Sequence, residues 1–212
     1  MDWEALFERE RARVADGEAR LEPEQLVRLG NASYGAGLCL LMLGREPEAR
    51  EWLSRAATRW RESWEHATPT SWGRPIGTIK ASLIAGERRE ARAYSRWALE
   101  LGTETAESPI GRYAAALALL TLARWPDARI ISATIRDLDD FPRDVADALW
   151  SIAANDERGY AAAVASIVRS FETREEFLED VPVADTALAL RPLAERRGFA
   201  VGLGPSSTLP AA

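Results

Sequence analysis

Arg74-Pro75-Ile76-Gly77 and Ser108-Pro109-Ile110-Gly111 decide how this chain is read. The two Pro-Ile-Gly segments lie 34 residues apart, a period at which a helix-turn-helix unit repeats so that each copy buries its apolar face against the next. In both copies the proline suits the first helical position, where its missing N–H removes no hydrogen bond, and Ser108 is a good N-cap for the second. A glycine at the third position lets a neighbouring element come close.

A second pattern falls inside each unit. Gly44, Gly86, Ala123 and Asn155 each mark a turn. Five, nine and twelve residues after these come Ala49, Leu53 and Ala56, then Ala91, Ser95 and Ala98, then Ala128, Ser132 and Ile135, and finally Tyr160, Val164 and Ile167. Offsets of three, four and seven put these positions on one helical face, where small side chains allow two antiparallel helices to close up. The turns are 42, 37 and 32 residues apart, which predicts an uneven stack.

The flanking segments follow the same period, and strand signals are nearly absent. Trp3, Leu6, Phe7 and Val14 share one face of a first helix over residues 2–16, ended by Gly17. Pro23 opens a second helix that is apolar all round in its last two turns and is therefore central. Pro126 and Pro142 fall where further helices start, with Asp140 as a cap near the latter, and Pro182 opens the last helix. Beyond Gly198, the residues Gly202, Gly204, Pro205 and Pro210 rule out a helix and predict an extended tail. The expected fold is all-α: one domain over residues 1–212 of antiparallel hairpins stacked as a solenoid or irregular bundle of about ten helices. Its hairpins fall at about 23–66, 75–102, 109–137 and 142–171, followed by a last helix at about 182–197 and a tail over 198–212.

Composition narrows function. A net charge of −6 and a pI near 5.1 argue against nucleic acid or an anionic membrane as partner. The acidic start Met1-Asp2-Trp3-Glu4 lacks the features of a signal peptide, and the longest apolar run, Ala114 to Leu120, is too short to span a bilayer. Cys39 stands alone in an apolar run, as a small buried hydrophobe in a reducing compartment would, so a cytoplasmic location is expected. Lys80 is the sole lysine, which reads as genome composition.

Chemistry-bearing patterns are missing. A single histidine, His66, excludes two-histidine metal motifs, no serine sits in a nucleophile elbow, and no glycine-rich phosphate loop precedes Lys80. No catalytic residue, metal or cofactor is expected, and the chain reads as a non-enzyme. The candidate partner-binding residues are Trp60, Trp64, His66, Trp72 and Arg74, because aromatic and arginine side chains crowd this segment and such residues anchor interfaces. Trp60 and Trp64 also continue the stripe of Leu53, Ala56 and Ala57, which favours core. Trp72 and His66 fall off the stripe and are expected to be exposed; Trp72 and Trp52 on the surface would suit a homodimer.

Leu29-Gly30-Asn31-Ala32-Ser33-Tyr34, with the 34-residue period, resembles the first-helix signature of tetratricopeptide repeats, although Gly44 follows about two turns late. Asp139 to Pro210 resembles the end of the helical immunity proteins of bacterial polymorphic toxin systems, immunity protein family forty-nine. The matching residues are Asp156, Tyr160, Asp185, Leu188, Leu190, Leu193, Ala194, Arg197, Gly198, Val201, Leu209 and Pro210. These resemblances imply a non-catalytic protein that offers a concave face to a protein or peptide, with toxin neutralisation as one concrete role. The alternative is a small-molecule binding or sensor protein with a pocket near Trp64, Trp72 and Arg74.

Overall fold

The computed structural model describes residues 1–19 and 22–211. Gly44, Gly86, Ala123 and Asn155 all take left-handed backbone conformations, with φ of 72°, 74°, 61° and 63°. At each, the N–H of the following residue bonds to the carbonyl five positions earlier, at 2.8–2.9 Å (Arg45 to Leu40, Glu87 to Ser82, Arg124 to Leu119, Asp156 to Ser151). These bonds satisfy carbonyls that a helix end leaves open, and the next helix begins two residues after the turn residue.

Four hairpins result: α2 (Leu26–Met42) with α3 (Glu46–Ser63), α4 (Gly73–Ile84) with α5 (Arg88–Glu100), α6 (Pro109–Thr121) with α7 (Trp125–Arg136), and α8 (Arg143–Ala154) with α9 (Glu157–Thr173). The helices α1 (Trp3–Glu18) and α10 (Asp185–Arg196) flank them, and no strand occurs among the described residues. All twelve positions placed five, nine and twelve residues after the turns are buried, none more than 2% exposed. Periodicity alone found the inner seam of every hairpin, because that seam depends on local spacing.

Each helix packs on the next along the chain, and among alternate helices α4 touches α6 and α6 touches α8. The first helices of the last three hairpins, α4, α6 and α8, therefore form an inner layer. The last helix, α10, folds back onto α4, α8 and α9. Its Ala187, Leu190 and Leu193 are buried in a core shared with Ile79, Leu117 and Leu149. A second core joins α1, α2 and α3 to Ala81 of α4 and to Ala85 just past its end, so α4 belongs to both.

Several expectations need correction. Pro75 is the third residue of α4, not the first, whereas Pro109 does open α6. Either place is free of cost in lost bonds, since the first-turn N–H groups have no partner within the helix. Gly17 does not end α1, which runs to Glu18; a Cβ there would lie 2.7 Å from Leu29 Cδ2, so the glycine is a contact point. Pro23 begins a short 3₁₀ turn ahead of α2. Pro142 itself occupies the cap position of α8. Pro182 does not open the last helix: Val183 N–H bonds back to Val181 O across it at 2.9 Å, Ala184 N–H bonds to Thr208 O of the tail at 2.8 Å, and α10 starts only at Asp185. In that tail Thr208 and Leu209 are buried, and Ala212 lies outside the described residues.

Ala123 offers a direct stability test. It adopts the conformation that glycine adopts at Gly44 and Gly86, and a non-glycine residue there costs about 1–2 kcal/mol. Part of this returns as greater chain entropy of an unfolded glycine, so Ala123→Gly is expected to stabilise by about 0.5–1 kcal/mol, roughly 1–4 °C in Tm. An unchanged or lower denaturation midpoint would contradict the assignment.

Candidate functional site

Trp60 organises the surroundings of the inner layer at its N-terminal end. Its indole lies between two glycines of neighbouring helices: a Cβ on Gly30 of α2 would come 2.6 Å from Trp60 Cδ1, and one on Gly77 of α4 would come 2.7 Å from Cε3. The ring of Tyr34 lies against it at 5.1 Å, and Trp60 Nε1 donates to Asn31 Oδ1 at 2.9 Å. Trp60 is 4% exposed, as its place on the apolar stripe predicted. The indole thus props α2 away from α4, and a pocket of about 410 Å³ opens between them.

Around this pocket stand Val27, Asn31 and Tyr34 from α2, Trp60 from α3, and Arg74, Ile76 and Lys80 from α4. Asp185 of α10 and Leu178 of the α9–α10 linker complete it. Arg74 Nε donates to Ser63 Oγ at 2.8 Å, and that hydroxyl donates to Trp60 O at 2.8 Å, which fixes the guanidinium. Burial pulls the Arg74 pKa down, and no carboxylate pairs with it among the described residues.

The inner wall is a four-residue polar node. Asp185 Oδ2 accepts from Lys80 Nζ at 2.7 Å and from Tyr34 Oη at 2.8 Å, while Lys80 Nζ also donates to Thr186 Oγ1 at 3.1 Å. Burial first, and the Asp185 charge second, push the Tyr34 phenol well above its ordinary pKa, so it stays a donor. The sole lysine of the chain is therefore the residue that ties the start of α10 to α4.

The linker that carries Leu178 is held down from α1. Arg13 pairs with Glu179, and Arg9 donates to Glu179 O and pairs with Asp180 at 3.7 Å. Glu179 and Asp180 both sit at positive φ, 56° and 54°, a strained arrangement that these ion pairs hold in place. Beneath them Glu10 is fully buried and paired with Arg9 and Arg13 at 2.8 and 2.9 Å. Leu178 itself is 52% exposed at the pocket's mouth.

Of the five residues predicted from sequence, Trp60 and Arg74 line this pocket and the other three do not. Trp64 and Trp72 stack on each other at 5.8 Å, and Trp64 meets Trp97 edge-on at 5.9 Å. Trp72 is half-buried, not exposed, because its indole lies over Gly111: a Cβ there would come 2.9 Å from Trp72 Nε1. The glycines of the two Pro-Ile-Gly segments thus serve the same end, each admitting an indole. His66 is exposed, as predicted, beside a separate concavity whose arginines pair with Glu18, Glu62 and Glu65. Trp52 is also half-buried, against Phe7 at 6.0 Å, so the surface tryptophans invoked for a homodimer are packed within the chain.

Sequence reasoning missed Asn31, Tyr34, Lys80, Leu178 and Asp185 as site residues. Two signals were present: Asn31 and Tyr34 lie in the tetratricopeptide-like signature, and a unique lysine in an arginine-rich chain is itself unusual. A larger concavity of about 530 Å³ lies along α7, α8 and α9, but both of its arginines are paired. Asp147 takes Arg136 at 2.6 Å and Arg143 at 3.2 Å, and Arg136 also covers Trp150. Unspent polar groups, not volume, single out the pocket at Trp60. The chain is thus an all-α stack of helical hairpins with a pocket at one end of its inner layer, and among the described residues no helix is long and apolar enough to cross a membrane. No family model matches the sequence, and no curated protein or solved structure was found to be similar.

Proposed function

We propose that this protein is a non-catalytic interaction protein of the tetratricopeptide-like type, and that its partner engages the mouth of the pocket between α2 and α4. The observation that carries this reading is the division of the inner layer. α10 packs on α4 and α8, whereas at the start of α4, beside Trp60 and Arg74, a pocket stays open with Leu178 at its mouth. An aromatic floor and an arginine without a counter-charge are the residue types that anchor interfaces, and the exposed Leu178 adds apolar area beside them. Toxin neutralisation in the cytoplasm is a concrete form of the role. It draws support from the resemblance of Asp139 to Pro210 and from the net charge of −6, which would steer a basic partner.

A small-molecule binding or sensor role is the second reading. The volume of about 410 Å³ favours it, since ligand sites commonly fall in the range of about 300–1,000 Å³. Affinity capture from the native host, with unaltered protein and Leu178→Glu compared side by side, separates the two. A protein retained by the former and reduced at least about ten-fold by the latter supports the proposal. Equal retention removes the pocket's mouth as the contact, and the absence of any retained protein leaves the small-molecule reading in front.

A further inference from the structure

We infer that the pocket between α2, α4 and α10 binds an organic carboxylate carried on an apolar body. This assigns chemistry to the pocket named above, and its test needs no partner protein, so the two readings fail separately.

The ground is the hydrogen-bond inventory of the wall. Its one carboxylate is engaged: Asp185 receives Tyr34 and Lys80 at Oδ2 and Thr186 at Oδ1. Asn31 Oδ1 receives Trp60 Nε1, and because an indole N–H can only donate, this contact fixes which way the amide points. The donors are in surplus. The Asn31 amide N–H groups and the terminal amino groups of Arg74 meet no acceptor among the described residues. Lys80 keeps an ammonium N–H beyond those given to Asp185 and Thr186. A wall rich in donors and poor in acceptors is complemented by an acceptor, and the uncompensated guanidinium makes that acceptor an anion.

Geometry narrows the anion further. Arg74 is oriented through its Nε by Ser63, so its outer edge is a fixed planar fork, which matches the two oxygens of a carboxylate. Val27, Trp60, Ile76 and Leu178 add an apolar lining too extensive for a bare inorganic ion to fill. A ring or branched chain bearing a carboxylate satisfies both parts at once.

The test is calorimetric titration of the full chain with 3-phenylpropionate and with its uncharged amide, 3-phenylpropionamide. A second pair, acetyl-Phe-Glu-amide and acetyl-Phe-Gln-amide, presents the same contrast on a peptide. The acid is expected to bind at least about ten-fold more tightly than the matched amide, the worth of a charge-assisted bidentate contact. Arg74→Gln is expected to bring the acid down to the level of the amide, and Arg74→Lys to recover part of the difference. A stronger response to the free acid points to a small-molecule source, and a stronger response to the peptide to a protein segment. Equal binding of acid and amide in both pairs, or no binding of either acid at about 10 mM, overturns the inference. Should Arg74→Gln not fold, the acid and amide comparison on the unaltered protein decides alone.

Discussion

Truncation of Trp60 to alanine is expected to lower the unfolding free energy by about 3–5 kcal/mol, the range for removing a buried aromatic side chain from a site that cannot collapse. The site resists collapse because the helices on both sides present glycine to the indole, so no side chain stands ready to fill the gap. Loss of the indole N–H also strips Asn31 of its donor. A paired experiment isolates the wedge from general helix effects. Gly73 and Gly77 both belong to α4, but a Cβ on Gly73 meets nothing within 4 Å, whereas one on Gly77 runs into the rigid indole. Alanine at position 73 should be neutral or stabilise by a few tenths of a kcal/mol, and alanine at 77 should destabilise by about 1–3 kcal/mol through overpacking. Urea denaturation of both variants is the measurement, and equal stabilities would mean that Trp60 does not hold the two helices apart.

Replacing Lys80 with methionine is expected to cost about 2–4 kcal/mol, somewhat below the range for a wholly buried pair because both partners retain slight exposure. Lys80 and Asp185 side chains are 12% and 15% exposed, so removal of the cation leaves a carboxylate with little water to turn to. Asp185→Leu should cost a similar amount, since Tyr34 and Lys80 then lose their shared acceptor. The double variant should be more stable than the sum of the single changes implies, by at least about 1.5 kcal/mol, because neither charge is then stranded. Hydrogen exchange adds a local readout: amides of α10 should lose protection ahead of those in α6. A Lys80→Met protein within about 0.5 kcal/mol of the original would show that the node does not hold α10.

The hairpins were readable because their determinants are local. A left-handed turn residue, the return bond to the carbonyl five positions earlier and the burial of positions five, nine and twelve residues further on all lie within one short segment. Asn155 and Ala123 could be placed by this spacing even though neither is glycine. Cys39 was readable for the same reason, since an apolar run marked it as buried, and burial pushes its thiol up to about 12. The misread positions share a different property. Trp72 was expected at the surface, yet its cover comes from Trp64 and from Gly111 of α6, far along the chain. Gly17 looked like a helix stop until Leu29 of the next helix was found against it.

The site followed the same division, with two of its residues readable in advance. Trp60 was legible from its stripe and Arg74 from the crowding of aromatic and arginine side chains in its segment, but nothing near Lys80 in sequence names Asp185, which is 105 residues away. The amino-acid sequence by itself determined that this protein is helical, where its hairpins turn and which face of each second helix is buried. It could do so because helical period and turn chemistry act over a few residues. Only the tertiary structure decided that α10 covers the inner layer and that a lysine, an aspartate and a tyrosine from three helices meet beside Trp60. Such contacts depend on the chain's return path, and that path is set by the summed packing of the whole stack.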